Sequence, residues 1–362
     1  MSRPTRAIVD LAALRHNAAI ARALAPQARL LAVVKSDGYG HGAVAIARAL
    51  QAEADAFGVA CIEEALALRA AGVDAPVLLM EGVFEAAELA IAARENFWLM
   101  VENTRQVEWL EHARASAPLV VWLKTDTGMC RLGFAPESVR TLHARLRASP
   151  AVAPGIVIAT HLACADEPDN PLTRLQLARL SAAIDGIDAP LSIANSPALL
   201  AWPDARAQWN RAGYMLYGAS PFADDRHPLT SDLRPVMSLE SAVVSLRDVA
   251  VGESVGYGAT WTARRPTRLA TVPAGYADGY PRSAVNGTPV FVAGHRASLA
   301  GRVSMDMLTV DVTDVPQVHP GMPVQLWGTQ IGVDAVARQC ATIGYELLVR
   351  VSPRVPRIYT NG

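Results

Sequence analysis

Short apolar runs alternate with amphipathic, alanine- and leucine-rich stretches from residue 30 to about residue 217. The stretches between the runs, such as IEEALALRAAG and VRTLHARLRAS, carry apolar residues at helical spacing. Continuous apolar runs separated by helices are typical of parallel strands with both faces covered. The runs lie at 30–35, 56–60, 76–81, 97–101, 119–124, 155–163, 191–195 and 210–218.

Eight strands close a (β/α)8 barrel, so we predict an α/β fold with a TIM-type barrel over residues 10–230. An open doubly wound sheet is the alternative. No G-x-G-x-x-G motif follows the early strands, which disfavours a dinucleotide-binding sheet.

The pattern changes after about residue 230, where helical periodicity becomes weak. Short β-type segments follow, punctuated by Gly and Pro: SAVVSLRDV, RLATVPAGY, TPVFVAG, MLTVDVTDV and PVQLWG. They predict a C-terminal, mainly antiparallel β domain over residues 231–362, with a weak helix at VDAVARQCATI. An N-terminal strand at residues 5–9 is a candidate to join that domain.

Composition excludes several classes of protein. The 33 Lys and Arg residues balance 34 Asp and Glu residues, so no basic field attracts nucleic acid. No run approaches the length of a membrane span, and the N-terminus lacks a signal-peptide pattern. Four scattered cysteines predict reduced thiols of a cytoplasmic protein rather than disulfides or a metal site.

Only two of the 33 basic residues are lysines, Lys35 and Lys124, and the other 31 are arginines. An arginine serves as well as a lysine wherever a cation only has to lie on a surface. Lysine alone can lose its proton, act as an amine nucleophile and form an imine. Both lysines are therefore candidates for chemistry.

Each lysine ends an apolar run, which places it at the carboxyl end of a predicted barrel strand, where barrel active sites are built. Lys35 is followed by the glycine-rich loop SDGYGHG, and Lys124 by TDTGMCRLGF. Two ammonium groups on one rim repel each other. We expect either a modified Lys124 or a partial neutralisation by Asp126.

The lysine loop AVVKSDGYGHG resembles the pyridoxal-phosphate motif of bacterial alanine racemases. Nine further motifs support the resemblance in order along the chain: KTDTGMCRLGF, ATHLACADE, ANSPA, RAGYMLYG, VGYGATW, AGYADGYPR, GRVSMDM, TIGYELL and RVPRIY. The resemblance implies fold type III, a barrel followed by a β domain. It also implies a homodimer with shared active sites, without nucleic-acid or membrane partners.

The resemblance implies that Lys35 forms an aldimine with pyridoxal 5'-phosphate and then serves as one base. Tyr257, from the partner subunit, is implied as the base on the opposite face. A free tyrosine has a pKa of about 10, so it needs a lowered pKa or a proton relay. His161 is implied as its hydrogen-bond partner. The implied reaction interconverts L- and D-alanine, for peptidoglycan or for alanine catabolism.

The implied cofactor contacts include Arg211, which faces the pyridine nitrogen; related barrel decarboxylases carry a carboxylate there. The other implied cofactor-binding residues are Tyr39, His161, Asn195, Ser196, Gly213, Tyr214 and Tyr345. Cys130 and Tyr214 depart from the common family residues without removing a functional group.

On the substrate side, the resemblance implies that Arg131 binds the carboxylate, with Met305 and Asp306 of the partner lining the pocket. The entrance residues are implied to be Asp166, Tyr276 and Arg282. Lys124 aligns with a lysine that many members carry as a carbamate, which would give Arg131 an anionic partner.

Two alternatives remain open at the level of sequence. One is a racemase of broader range, or a decarboxylase on the same barrel. The other is a non-catalytic pyridoxal-phosphate carrier, which the C-terminal region and Tyr257 disfavour.

Overall fold

A closed barrel of eight parallel strands forms the N-terminal part of the protein, as the eight apolar runs predict. The computed structural model describes residues 3–114, 116–222 and 228–362. A strand that precedes the barrel, β1, spans Arg6–Asp10. The barrel strands are β2 Arg29–Val33, β3 Ala56–Val59, β4 Val77–Leu79, β5 Phe97–Val101, β6 Val121–Lys124, β7 Val157–Ala159, β8 Leu191–Ser192 and β9 Trp209–Ala212.

Alternation along each strand fills the two sides of the barrel wall. In β2, Leu31 and Val33 belong to the cluster that also holds Trp122 and Trp209 from other strands, inside the barrel. Leu30, which precedes Leu31, packs in the larger cluster with the surrounding helices. Both faces are buried, and this is why the strands appear in the sequence as continuous apolar runs.

Helices cover the barrel, and several begin at a residue that caps their free N–H groups. Asp10 accepts hydrogen bonds from Ala12 and Ala13, and Asn103 accepts one from Gln106. The helices of the barrel region span Leu11–Leu24, Ala43–Ala49, Ile62–Ala70, Glu88–Glu95, Thr104–His112, Val139–Ala148, Leu172–Ala183 and Ser196–Ala201. In the described residues, no helix is long and apolar enough to cross a membrane.

A mainly antiparallel nine-stranded sheet forms the C-terminal part. The strands after the barrel are β10 Met237–Ala242, β11 Ser245–Val249, β12 Ser254–Val255, β13 Trp261–Thr262, β14 Thr267–Val272, β15 Pro289–Val292, β16 His295–Leu299, β17 Leu308–Asp311, β18 Pro323–Trp327 and β19 Arg357–Thr360. The sheet order is β11-β14-β17-β16-β15-β18-β10-β1-β19, and a separate two-stranded hairpin pairs β12 with β13. The predicted fold class is therefore confirmed.

The sheet differs from the predicted segments in detail. SAVVSLRDV falls in two strands, because the chain leaves β10 after Ala242 and begins β11 at Ser245. The segment β16 carries no strong apolar pattern and was not predicted. The predicted helix at VDAVARQCATI ends at Gln339, and a second helix spans Gly344–Val349.

Strand β1 lies inside the sheet, antiparallel to β10 and parallel to β19. The chain therefore passes from the sheet into the barrel through Asp10 and returns to the sheet at Met237. The division between the two parts at residues 230 and 231 stays a prediction. Helix Gly344–Val349 packs back against the loop that follows β2, which brings C-terminal residues to the mouth of the barrel.

Candidate active site

A cavity of about 1060 Å³ opens at the carboxyl ends of the barrel strands. Its walls come from the strand-end loops and from helices Val333–Gln339 and Gly344–Val349 of the same chain. The site residues of the sequence analysis that line it are Lys35, Tyr39, Lys124, Arg131, His161, Asp166, Asn195, Ser196, Arg211, Gly213, Tyr214 and Tyr345.

Lys35 follows β2 and is held by a left-handed turn. Ser36, Asp37 and Tyr39 have φ angles of 54°, 53° and 52°, and these positive values are costly for residues with a side chain. The turn is fixed by hydrogen bonds from Ser36 N to Glu64 Oε1 (2.7 Å) and from Ala43 N to Asp37 Oδ1 (2.9 Å). The strained turn keeps both the lysine amine and the Tyr39 ring at the cavity.

The far end of the cavity carries several hydrogen-bond donors. Ser196 Oγ accepts from the backbone N–H groups of Gly213 (2.9 Å) and Met215 (3.3 Å). A Cβ on Gly213 would come within 2.8 Å of Tyr39 Oη, so glycine is required where these groups converge. Burial raises the pKa of Tyr39 to about 12, so its phenol stays protonated and can donate near neutral pH.

Tyr345 is held by Tyr214, whose ring stacks on it with centroids 3.6 Å apart. The Tyr214 hydroxyl donates to Asp334 Oδ1, so this side chain positions its neighbour instead of offering its own hydroxyl to the cavity. Burial raises the pKa of Tyr345, which keeps its phenol protonated as well. Asn195 Oδ1 accepts from Ala198 N (3.2 Å) and caps helix Ser196–Ala201.

Arg211 is buried among the ends of the strands. Its Nη1 donates to Ser192 O (2.9 Å) and Oγ (2.7 Å), and its Nη2 donates to Thr160 O (2.7 Å). Burial lowers its pKa to about 10, which still leaves the guanidinium charged near neutral pH. Its Nη2 also donates to Ile193 O (3.1 Å), so the plane of the guanidinium is fixed by the ends of several strands.

His161 lies beside Arg211, with His161 Nδ1 3.4 Å from Arg211 Nη2. Arginine only donates, so Nδ1 accepts and the proton of the neutral ring is on Nε2. Burial, followed by the charges of Arg211, Arg131 and the two lysines, lowers the pKa of His161 to about 3. The imidazole is therefore neutral at physiological pH.

Lys124 pairs with Glu102, a residue that the sequence analysis missed. Glu102 Oε2 lies 3.1 Å from Lys124 Nζ. The expected partner, Asp126, instead accepts backbone N–H bonds from residues 128, 129 and 130, which shapes its own loop. Asp126 is the partner expected from the sequence because it lies close to Lys124 along the chain. The signal for Glu102 is that its carboxylate directly follows the apolar run 97–101 and so lies at the end of a predicted barrel strand.

Five predicted site residues lie outside this cavity, on the C-terminal part of the chain: Tyr257, Tyr276, Arg282, Met305 and Asp306. Their loops are neighbours. The loop of Tyr257 lies beside Arg302, which Gly256 and Gly258 approach. The loop of Tyr276 lies beside Met305, because the N–H of Ala277 donates to Met305 O (3.0 Å). Tyr257 is 66% exposed and Met305 53% exposed. Exposed aromatic and thioether groups gathered on one face are typical of a surface that another molecule covers.

The donor set of the cavity fits pyridoxal phosphate. The hydroxyl groups of Ser196 and Tyr39, which converge at Gly213, suit a phosphate, and a fixed cationic donor at Arg211 suits an unprotonated ring nitrogen. The Lys35 amine suits an aldehyde.

Comparison with known proteins agrees with this description. The family model for the alanine racemase N-terminal domain matches residues 9–221, and that for the C-terminal domain matches residues 236–359. The chain is 53% identical to the catabolic alanine racemase of Pseudomonas aeruginosa over 360 residues, covering 99% of this chain and 100% of that protein. It is 52% identical to the biosynthetic alanine racemase of the same organism over 359 residues, with 99% and 100% covered.

Solved structures give the same result. The crystal structure of the biosynthetic alanine racemase from Pseudomonas aeruginosa superposes with a TM-score of 0.95 at 52% identity, covering 99% of this chain and 100% of that one. The alanine racemase from Acinetobacter baumannii superposes with a TM-score of 0.92 at 39% identity, covering 99% and 100%.

Proposed function

The chain belongs to the alanine racemase family, and from this membership we propose that it interconverts L- and D-alanine by proton transfer between Lys35 and the partner's Tyr257. The observation that supports this scheme is the separation of the two groups. Lys35 lines the cavity of its own chain, whereas Tyr257 lies exposed on the C-terminal part, outside that cavity.

We propose pyridoxal phosphate as the cofactor, held at the phosphate by Ser196, Gly213, Tyr39 and Tyr345. Once bound, it supplies an electron sink for the charge left on Cα when the proton is removed. Arg211 would donate to the ring nitrogen and could not give up a proton to it, because its guanidinium stays charged. The arginine thereby limits the side reactions that a fully delocalised carbanion would enter.

The two bases act on opposite faces of Cα. Lys35 removes or returns the proton on one face with its amine, which the left-handed turn holds at the cavity. The partner's Tyr257 does so on the other face, with His161 as its hydrogen-bond partner. The low pKa of His161 keeps the ring neutral, so its Nε2–H can donate a hydrogen bond to the tyrosine oxygen without adding a positive charge to the site.

Arg131 binds the substrate carboxylate in this scheme. The partner's Met305 and the partner's Asp306 line the small pocket for the methyl group, and Asp166 lies at the entrance with the partner's Tyr276 and the partner's Arg282. A homodimer with shared sites is thus part of the proposal. The neighbouring exposed loops that carry these residues support it.

We further propose a cytoplasmic enzyme, since the structure describes all four cysteines as free thiols. The relatives include a catabolic and a biosynthetic enzyme at 53% and 52% identity, and one reaction serves both uses. It supplies D-alanine for peptidoglycan in one direction and feeds alanine breakdown in the other.

Subunit mixing tests the shared site. Lys35→Ala and Tyr257→Phe proteins, each carrying cofactor, should be nearly inactive in converting D-alanine to L-alanine. A heterodimer of the two contains one site with both native bases, so purified heterodimer should show about half the native activity per dimer. Proven heterodimers without activity would refute the shared site, and no turnover by the native holoenzyme would refute the racemase itself.

A further inference from the structure

A fully buried glutamine, Gln176, contacts the loop of His161 from helix Leu172–Ala183. Its Oε1 accepts from Ala163 N (2.9 Å), and its Nε2 donates to His161 O (3.0 Å). A backbone N–H can only donate and a carbonyl oxygen can only accept, so these two partners fix which way the amide points. One side chain therefore clamps the backbone directly after His161 at two points.

The same amide also contacts the neighbouring strand-end loop. Gln176 Nε2 donates to Thr127 Oγ1 (3.2 Å), and the hydroxyls of Thr127 and Thr160 share a hydrogen bond of 2.8 Å. All three residues are at most 2% exposed. Strands β6 and β7 pair with each other, so the loops that carry Thr127 and His161 begin side by side at the rim of the barrel. Gln176 holds the two loops together.

A second support acts on the ring of His161. Arg211 Nη2 donates to Thr160 O (2.7 Å) and lies 3.4 Å from His161 Nδ1. The contact with the ring is at the limit of a hydrogen bond, so a small shift of the His161 backbone would break it. The place of the imidazole therefore depends on Arg211 at the ring and on Gln176 at the backbone.

We propose that Gln176 is a positioning residue for proton transfer on the tyrosine face of the reaction: it holds His161 where the Nε2–H of the ring reaches the phenolic oxygen of the partner's Tyr257. Gln176 lies outside the lining of the cavity, so it acts through His161 and not on the substrate. The cations that act on the ring are Arg211, Arg131 and the two lysines, and Gln176 adds no charge to them. The part played by the tyrosine rests on the proposed function. The placement of His161 does not.

The ring of His161 reports this positioning without any turnover. Histidine labelled with ¹⁵N gives NMR signals that distinguish the two neutral tautomers, and His161→Gln identifies the signals of His161 among those of the eight histidines. In the native holoenzyme the proton should be on Nε2. Gln176→Met removes the amide and should give a mixture of both tautomers, because Nδ1 moves away from Arg211. An unchanged single tautomer in Gln176→Met overturns the proposal.

Arg179→Met is the matched control. Arg179 lies on the same helix, and its Nη1 donates to Thr127 O (3.0 Å), a bond that does not involve His161. The control should keep the native tautomer and the native rates. If Gln176→Met does not fold, Gln176→Asn takes its place, because its shorter amide cannot span His161 O and Ala163 N together. The same mixture of tautomers is then expected.

Kinetics test which proton transfer depends on Gln176. Gln176→Met should lower kcat about tenfold with little change in KM, because the tyrosine loses the donor that stabilises its ionised oxygen and Arg131 is not affected. The isotope effect with Cα-deuterated alanine should rise for the enantiomer whose proton the tyrosine removes and fall for the other. That enantiomer is the one whose Cα proton does not exchange with solvent in Tyr257→Phe. Isotope effects that change equally for both enantiomers overturn the role.

The effect should also stay within the cavity of one chain. Paired with Lys35→Ala, a Gln176→Met chain supplies the lysine of the one competent site, and activity should fall about tenfold below that of the Lys35→Ala and Tyr257→Phe heterodimer. Paired with Tyr257→Phe, it supplies only the tyrosine, and about half the native activity should remain. Equal activities of the two heterodimers overturn the local role. The NMR result needs no turnover, so failure of the racemase proposal remains distinguishable from failure of this one.

Discussion

The hydroxyl of Tyr214 donates a hydrogen bond of 2.6 Å to Asp334 Oδ1 and so joins the end of the barrel to helix Val333–Gln339. Tyr214 follows the last barrel strand, and its ring stacks on Tyr345. One side chain therefore connects two parts of the chain and orients a residue that we propose to hold the cofactor phosphate.

Replacing Tyr214 separates these two roles. Tyr214→Phe keeps the stack and loses a hydrogen bond to a carboxylate, so the free energy of unfolding should fall by about 1.5–3 kcal/mol. Tyr214→Leu also loses the stack and should bind pyridoxal phosphate more weakly, as measured by fluorescence titration. Tyr217→Phe, which loses a bond to the carbonyl of Val33, is the control and should cost only about 1 kcal/mol. Equal cofactor affinity in Tyr214→Leu and the native protein would contradict the positioning of Tyr345.

Two buried histidines should make stability depend on pH. Burial lowers the pKa of His161 to about 3 and that of His41 to about 4, against 6.5 in the unfolded chain. Between pH 4 and 6.5 the unfolded chain holds protons that the folded chain does not. Stability should therefore decrease as pH falls through this window, by up to about 1.4 kcal/mol per pH unit for each histidine.

Urea unfolding at pH 5 and pH 7, at one fixed protein concentration, measures this slope. His161→Gln should reduce the slope by the contribution of one proton, whatever its effect on activity. An identical slope in His161→Gln and the native protein would show that the imidazole is not held neutral by the fold.

Arg354 connects a buried carboxylate to a loop that we propose to serve the partner's site. Its Nε donates to Asp278 Oδ1 (2.8 Å), and its Nη2 donates to Asp306 Oδ1 (2.7 Å). Asp278 keeps Arg3 as a second partner, so Arg354→Met should cost only about 1–2 kcal/mol of stability. Because Asp306 is released, kcat/KM for alanine should fall about tenfold.

Arg350→Met is the matched control for Arg354→Met. Arg350 forms an exposed pair with Glu346 one helical turn away, and its loss should change stability by less than about 0.5 kcal/mol. If both variants keep native kcat/KM, the loop that carries Asp306 has no part in the reaction.

The sequence predicts the barrel well because its strands are buried on both faces and appear as continuous apolar runs. The same reasoning places Lys35 and Lys124 at strand ends. It fails for β16, since His295 and Arg296 are exposed and leave no apolar pattern. The Lys124–Glu102 pair depends on the register between β5 and β6, which no local pattern specifies.

The turn after Lys35 shows a second kind of limit. Glycines at positions 38, 40 and 42 predict a tight turn, but the left-handed conformation extends to Ser36, Asp37 and Tyr39. The hydrogen bond that Ser36 N donates to Glu64, a residue of another helix, holds the start of the turn, and the one that Ala43 N donates to Asp37 closes it. The local sequence around Lys35 contains no sign of a partner as distant as Glu64.

The packing of this turn against helix Gly344–Val349 can be tested at Gly40, with Gly72 as a control. Both glycines have a φ of +78°, but a Cβ on Gly40 would approach Leu348 O to 2.1 Å, whereas one on Gly72 would meet no atom within 4 Å. Gly72→Ala should therefore cost about 1–2 kcal/mol, from the left-handed conformation alone. Gly40→Ala should cost about 1–3 kcal/mol more, because the helix must move, and it should weaken cofactor binding by displacing the Lys35 loop.

Thermal unfolding and a cofactor titration of both variants measure the difference. Equal losses of stability would show that the helix does not pack on the turn as tightly as this geometry requires.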